Sequence, residues 1–345
     1  MDDQDGRSTS ERGTSRRGWL QVVLGGFAGI AGSSCGIAWA QDPKPGAPGR
    51  DDARPAPVRA DLESLRHRLE AAGIGPLETV GSAHYEAIGD APEAFIKLVL
   101  EDCEQLAADY LRHFRAREFE VRLPDHRMLV VMLRDNRSFA RFLQLPAGES
   151  GGGPVLQPTG VYDRKSNVLQ VFDWRRSPMT PRSGHRNIES LAHEGTHQLT
   201  FNTGLLNREG DVPLCIVEGL GTYGEARQPI GPGGLGRQNL RRLEDIAKLQ
   251  RQIPWIPVKD LIADDAILRT GKAVRVLLGY AQSWLLVHYF LKTPAALPKF
   301  RDYLKAIAKR TDRNHRLDDA HGHLGDLDAL DRELRRYSIR LLNTQ

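Results

Sequence analysis

Residues 191–202 read Leu-Ala-His-Glu-Gly-Thr-His-Gln-Leu-Thr-Phe-Asn and contain His193-Glu194-x-x-His197. No other stretch constrains the chain so tightly. On an α-helix, positions i and i+4 share a face with Cβ atoms roughly 6 Å apart, so two imidazoles at that spacing can grip one metal ion. Glu194, three residues before His197, leans toward the same face. A carboxylate there can stand beside the metal without ligating it, which suits a base acting on a metal-activated water. Ile188, Leu191, Ala192, Gly195 and Leu199 form the opposite stripe, spaced for packing into a core. The pattern predicts a helix with a buried back and a chemical front.

A catalytic zinc needs a third protein ligand and an open position. After a turn-like stretch at 207–213, an apolar run enters Glu218 within Leu214-Cys215-Ile216-Val217-Glu218-Gly219-Leu220-Gly221-Thr222-Tyr223-Gly224-Glu225. A carboxylate carried into an interior is costly without a partner, and a metal is one of the few that can stabilise it. The run from His193 to Tyr223 resembles the gluzincin metallopeptidases of the peptidase MA clan. Their signature is His-Glu-x-x-His, a gap of about twenty residues, then Glu-Gly-x-x-x-Tyr on the next helix; here the gap is the twenty residues 198–217. The resemblance implies that His193, His197 and Glu218 hold one Zn2+ per chain and that Glu194 is the catalytic base. It resembles in particular secreted bacterial members with His-Glu-x-x-His-Gln-Leu, then Asn, and Glu-Gly-Leu-x-x-Tyr. It departs at Gly221, where family members usually carry Ala, and at Leu214, a place often held by Trp. The specific motifs span 193–225, and the broader resemblance covers roughly 78–343.

The amino terminus has the character of a targeting segment. Ser15-Arg16-Arg17-Gly18-Trp19-Leu20 resembles a twin-arginine export motif, followed by an apolar, Gly-rich stretch and the small-x-small site Ala38-Trp39-Ala40 before Gln41. Its glycines, Gln21 and Ser33-Ser34 make it a poor spanning helix, so no stable membrane span is expected after cleavage. A periplasmic or extracellular protein is the expectation. Pro43, Pro45, Pro48, Pro55 and Pro57 mark 41–60 as a disordered linker. The acidic and basic residues of 1–40 cancel, so the remainder keeps the formal charge of +4, too mild to imply nucleic acid. Beyond the leader, Cys103 and Cys215 remain; an oxidising compartment permits a disulfide, and two buried thiols on separate elements is the favoured alternative.

Downstream, Leu62, Leu65 and Leu69 predict a helix over 61–72 stopped by Gly73, and 78–88 reads as extended. Asp90 and Glu93 suggest a capping-box-like start, with Pro92 in the first turn, to a helix running to about Arg115. The unbroken apolar run Met128–Leu133 predicts a central strand, Asn136–Leu143 a short helix, and Gly148–Pro154 a flexible loop. Gly160–Tyr162 and Val168–Phe172 flank a polar turn and predict a hairpin. Gln228–Gly236 reads as a Gly/Pro connection. The next helix should face Leu240, Leu243, Ile246 and Ala247 inward and Arg237, Arg241, Arg242, Lys248 and Arg251 to solvent. Val274–Leu291, 298–310 and 326–341 read as further helices, while His315, His321 and His323 read as a solvated loop.

Together these features predict an α+β, zincin-like fold. A small mixed β-sheet with backing helices (61–180) precedes a mostly helical half (181–345), with the active-site cleft between them. The resemblance adds two candidates: one arm of the hairpin to bind peptide by strand addition, with a purely structural hairpin as the equal alternative, and Tyr280, in Tyr280-Ala281-Gln282-Ser283-Trp284, to stabilise the oxyanion, with a buried structural tyrosine as the favoured alternative. The function so implied is an exported zinc-dependent peptidase acting on a peptide or protein substrate. A degenerate periplasmic binding or assembly module, or a zinc amidase acting on cell-wall peptides, is the alternative.

Overall fold

A computed structural model describes residues 61–144, 160–176, 185–227, 234–270 and 272–344. The leader, the 41–60 linker and the Gly148–Pro154 loop lie outside them. Helix α1 (Leu62–Ala71) begins at Asp61, whose carboxylate accepts from the Ser64 N–H. It ends before Gly73, where φ is +66°, a left-handed conformation that suits glycine. Strands β1 (Glu78–Gly81) and β2 (Tyr85–Gly89) pair antiparallel. Helix α2 (Glu93–Arg115) follows without the expected side-chain cap, because Asp90 instead accepts from the Arg134 backbone N–H.

The run Met128–Leu133 forms β3, α3 spans Asn136–Phe142, and β4 (Gly160–Asp163) and β5 (Val168–Phe172) make the hairpin. The sheet order is β1-β2-β3-β5-β4, with β2, β3 and β5 parallel and the two outer pairs antiparallel. Parallel strands covered on both faces need continuous apolar runs, which is why Met128–Leu133 does not alternate. The expected α+β architecture with a mixed sheet is therefore present.

All later regular structure among the described residues is helical. It comprises α4 (His185–Asn202), α5 (Leu214–Glu225), α6 (Leu240–Leu249), α7 (Val258–Ala263), α8 (Ala266–Arg269), α9 (Ala273–Lys292), α10 (Leu297–Ile307), α11 (Arg316–Leu324) and α12 (Leu327–Asn343). The sheet and the helical half meet at α4, which packs on α2, β4 and β5 as well as on α5. Helix α5 lies against α9 closely enough that a Cβ on Gly219 would sit 2.5 Å from the Ser283 carbonyl oxygen. No described helix is long and apolar enough to cross a membrane.

Three further expectations change. Leu240 is 52% exposed, whereas Leu243 and Ile246 are fully buried. Arg242 is buried rather than solvated, for the electrostatic reason given below. His321 and His323 lie on α11, not in a loop, because Leu324 and Ala320 give that segment an apolar face. Cys103 and Cys215 are both buried free thiols, as the favoured alternative had it.

Two polar clamps hold the α4–α5 connection. Arg164, on the hairpin turn, donates to the carbonyls of Asn207, Arg208 and Gly210. Arg316, 4% exposed, donates to both carboxylate oxygens of Asp211 at 2.8 and 2.6 Å and to Asp265 at 2.8 Å. Asp265 in turn accepts from the Leu214 N–H, the first residue of α5. Burial alone would raise the Asp265 pKa, but Arg316 outweighs it and holds the carboxyl below its ordinary value. This stabilisation is present above the unfolded carboxylate range, near pH 4, and is lost as pH falls through the lower folded value. Arg316→Ala should lower the unfolding free energy by about 3–5 kcal/mol, read by urea denaturation at neutral pH. The loss should shrink in acid; an equal loss at pH 3 and pH 7 would contradict the ion-pair account.

Candidate metal centre

His193 and His197 project one turn apart from α4, and Glu218 reaches them from α5. His193 Nε2 lies 3.0 Å from His197 Nε2 and 3.2 Å from Glu218 Oε2, and His197 Nε2 lies 3.7 Å from that same oxygen. These are the only described His, Cys, Asp or Glu side chains, three or more together, that could share a metal ion. The separations match the roughly 3.3 Å that ~2.0–2.1 Å bonds at tetrahedral angles impose on neighbouring donors. Glu218 Oε1 is buried and has no hydrogen-bond partner among the described residues. An orphaned carboxylate oxygen is expensive unless a cation satisfies it. Two imidazole nitrogens, one carboxylate and that orphaned oxygen fit a zinc ion.

The metal-free electrostatics point the same way. Burial disfavours charge on His193, but its hydrogen bonds to Glu218 and Glu225 outweigh this and lift its pKa to about 10. Burial likewise opposes charge on Glu218, yet the two histidines pull its carboxyl down to about 2. A proton on His193 thus bridges groups that would otherwise share a cation, so loading a metal releases protons.

Glu194 is 3% exposed, and its Oε2 accepts from the Tyr162 N–H of β4 at 2.8 Å. The sheet edge therefore fixes this carboxylate beside the donors. Burial raises its pKa, against the pull of His193 and His197.

Glu225 is the residue that sequence reasoning passed over. Its Oε1 lies 3.0 Å from His193 Nδ1 and receives Arg242 at 2.7 Å, while Oε2 receives Asn239 at 2.8 Å and Arg241 at 3.2 Å. Burial opposes its charge, but Arg242 and His193 hold the carboxyl well below the ordinary range. An ionised Glu225 accepts from Nδ1–H and so leaves Nε2 as the ligating nitrogen. The available signal was spacing: Glu225 lies seven residues, two helical turns, after Glu218 and shares its face.

Gly221 has a local reason as well. A Cβ there would stand 2.6 Å from His197 Cε1 and 2.9 Å from His193 Cε1, so glycine makes room for both rings. Tyr280 is 4% exposed on α9, with its ring 5.7 Å from the Arg242 guanidinium, which joins it to the site's periphery through Glu225. His315, His321 and His323 form no further metal-ligating group.

Residues 187–312 match the family described as a protein of unknown function, DUF1570, and this match includes His193, His197 and Glu218. No curated protein matches the chain. What the fold and site define is an α+β protein with a region similar to DUF1570 and a buried His-His-Glu group that could hold a metal ion.

Removing the support should weaken the metal without removing a donor. Glu225→Ala should reduce zinc affinity about 10–100-fold, measured by competition with a chromophoric chelator. Unchanged affinity would make Glu225 a packing residue only.

Proposed function

We propose that the protein is an exported zinc-dependent hydrolase of peptide bonds, with His193, His197 and Glu218 as ligands and Glu194 as general base. The observation that carries this reading is the placement of Glu194: it adjoins a donor on α4, stays out of the donor set, and is held by the N–H of an edge strand. Bound zinc would supply Lewis acidity and lower the pKa of water to about 7. Glu194 would take the proton of the attacking water and pass it to the leaving amine. Because the Tyr162 N–H points away from β5, Gly160, two residues earlier, presents its backbone on that same outer side. A peptide laid along β4 would pair there by strand addition, bringing its scissile bond alongside Glu194.

A second reading rests on burial. His193, Glu194, His197 and Glu218 are each no more than 3% exposed, as in closed structural metal sites. On that reading the domain is a binding or assembly module with a metal-stabilised core. A zinc amidase acting on cell-wall peptides would use the same residues on another substrate.

Glu194→Gln separates the readings. It keeps shape and zinc but removes the proton acceptor, so hydrolysis in a broad peptide library should fall about 10²–10⁴-fold, in turnover more than in binding. Equal cleavage by zinc-replete wild type and variant would assign the activity elsewhere. In the same assay Tyr280→Phe should lower turnover about 10²–10³-fold if its phenol stabilises the oxyanion; unchanged turnover returns it to the core. For export, N-terminal sequencing of secreted protein should begin at or near Gln41, and normal secretion after Arg16→Lys with Arg17→Lys would exclude the twin-arginine route.

A further inference from the structure

A cavity of about 580 Å³ opens beside the carboxyl end of α9, and Arg237, Leu240, His288, Lys292, Tyr337 and Leu341 are among its lining residues. It is separate from the metal group. The His288 ring lies 6.0 Å from that of Tyr223. Tyr223 is displaced about 140° around α5 from Glu218, at ~100° per residue, and so belongs to a different face of that helix.

The lining is chemically one-sided. Its cations are Lys292 and Arg237, the latter already engaged by a partner of its own, and it contains no carboxylate. The exposed Lys292 side chain has no ion pair or hydrogen bond with any described residue, and its resolved charge neighbour is another cation, Arg117. Arg117 itself donates to the Leu291 and His113 carbonyls, which leave its charge uncompensated. His288 is 3% exposed, with Nδ1 2.9 Å from the Tyr337 hydroxyl and no partner for Nε2 among the described residues. Burial and then the Lys292 charge push its pKa down to about 3, so it is neutral. In the tautomer whose Nδ1 accepts from Tyr337, the neutral imidazole offers Nε2–H as a donor. Alongside these donors stand Leu240, 52% exposed, and Leu341, 8% exposed. Ligand sites commonly combine about 300–1,000 Å³ of space, apolar walls and a few convergent polar groups.

We propose that this cavity binds an aliphatic carboxylate, its anionic head at Lys292 and His288 Nε2 and its chain against Leu240 and Leu341. Size, charge and lining agree on this class. A purely inorganic anion would leave the leucines unused, and a neutral lipid would leave the Lys292 ammonium without a counter-charge. The assignment stands whether or not the metal centre is catalytic.

Calorimetric titration of the full, zinc-loaded chain with octanoate tests it, with octanamide and inorganic phosphate as arms that remove the charge or the chain. Octanoate should bind saturably at one site and at least about tenfold more tightly than either comparison, a tenfold ratio being ~1.4 kcal/mol. Lys292→Met and Leu240→Ser should each weaken octanoate by about tenfold or more while leaving zinc content and thermal unfolding unchanged. Absence of octanoate binding would overturn the proposal. Phosphate binding as tight as octanoate would also overturn it, by reducing the site to charge alone. So would octanoate binding that survives both substitutions and disappears when zinc is removed, because the carboxylate would then be on the metal.

Discussion

The arrangement depends on burying His193 between two carboxylates. Glu218 faces its Nε2 and Glu225 faces its Nδ1, and all three side chains are almost fully enclosed. Burying charge costs several kcal/mol per ion unless each receives partners. Much of the local architecture supplies those partners. Arg242, Arg241 and Asn239 converge on Glu225 from the start of α6, while a metal, or a proton on His193, completes Glu218. The buried arginine of an otherwise solvent-facing basic cluster is thereby explained: Arg242 is inside because Glu225 is.

That cluster needs two helices, joined by the 203–213 connection, to meet at ångström precision. Helix α4 is located by the sheet, through the Tyr162–Glu194 contact, and by α2, whose Tyr110 hydroxyl lies 3.3 Å from that of Thr200. The second helix is located by α9, through the bare face at Gly219, and by the Arg316 clamp at its amino end. Arg164 ties the hairpin to the connection between them. A donor set held this way is arranged before any ligand arrives, which is what electrostatic preorganisation asks of a site.

The glycines of α5 belong to the same logic. Gly221 lowers intrinsic helix stability by about 1 kcal/mol relative to alanine, yet a methyl there would press on both imidazoles. Read only as a propensity, Gly221 is a small defect in the helix. Read in space, it is the gap into which the two ligand rings fit, so packing overrides local preference.

Sequence alone determined the elements whose signals are local. The i, i+4 histidines with their apolar back announced α4, the run Met128–Leu133 announced the central strand, and the turn at 163–167 announced the hairpin. It also nominated Glu218, because a carboxylate inside an apolar run is conspicuous wherever it falls. Tertiary structure alone decided what depends on separate segments meeting. Asp90 looked like a cap but is used by Arg134, across the sheet. Arg242 looked solvated because its helix is amphipathic, and only the approach of α5 turns it inward. Glu225 carried a helical spacing but no visible partner, since its partners lie 14 to 32 residues away along the chain. Periodicity reports which face of an element is apolar. Which polar groups will share an interior is decided by charge compensation, and that exists only once the chain has folded.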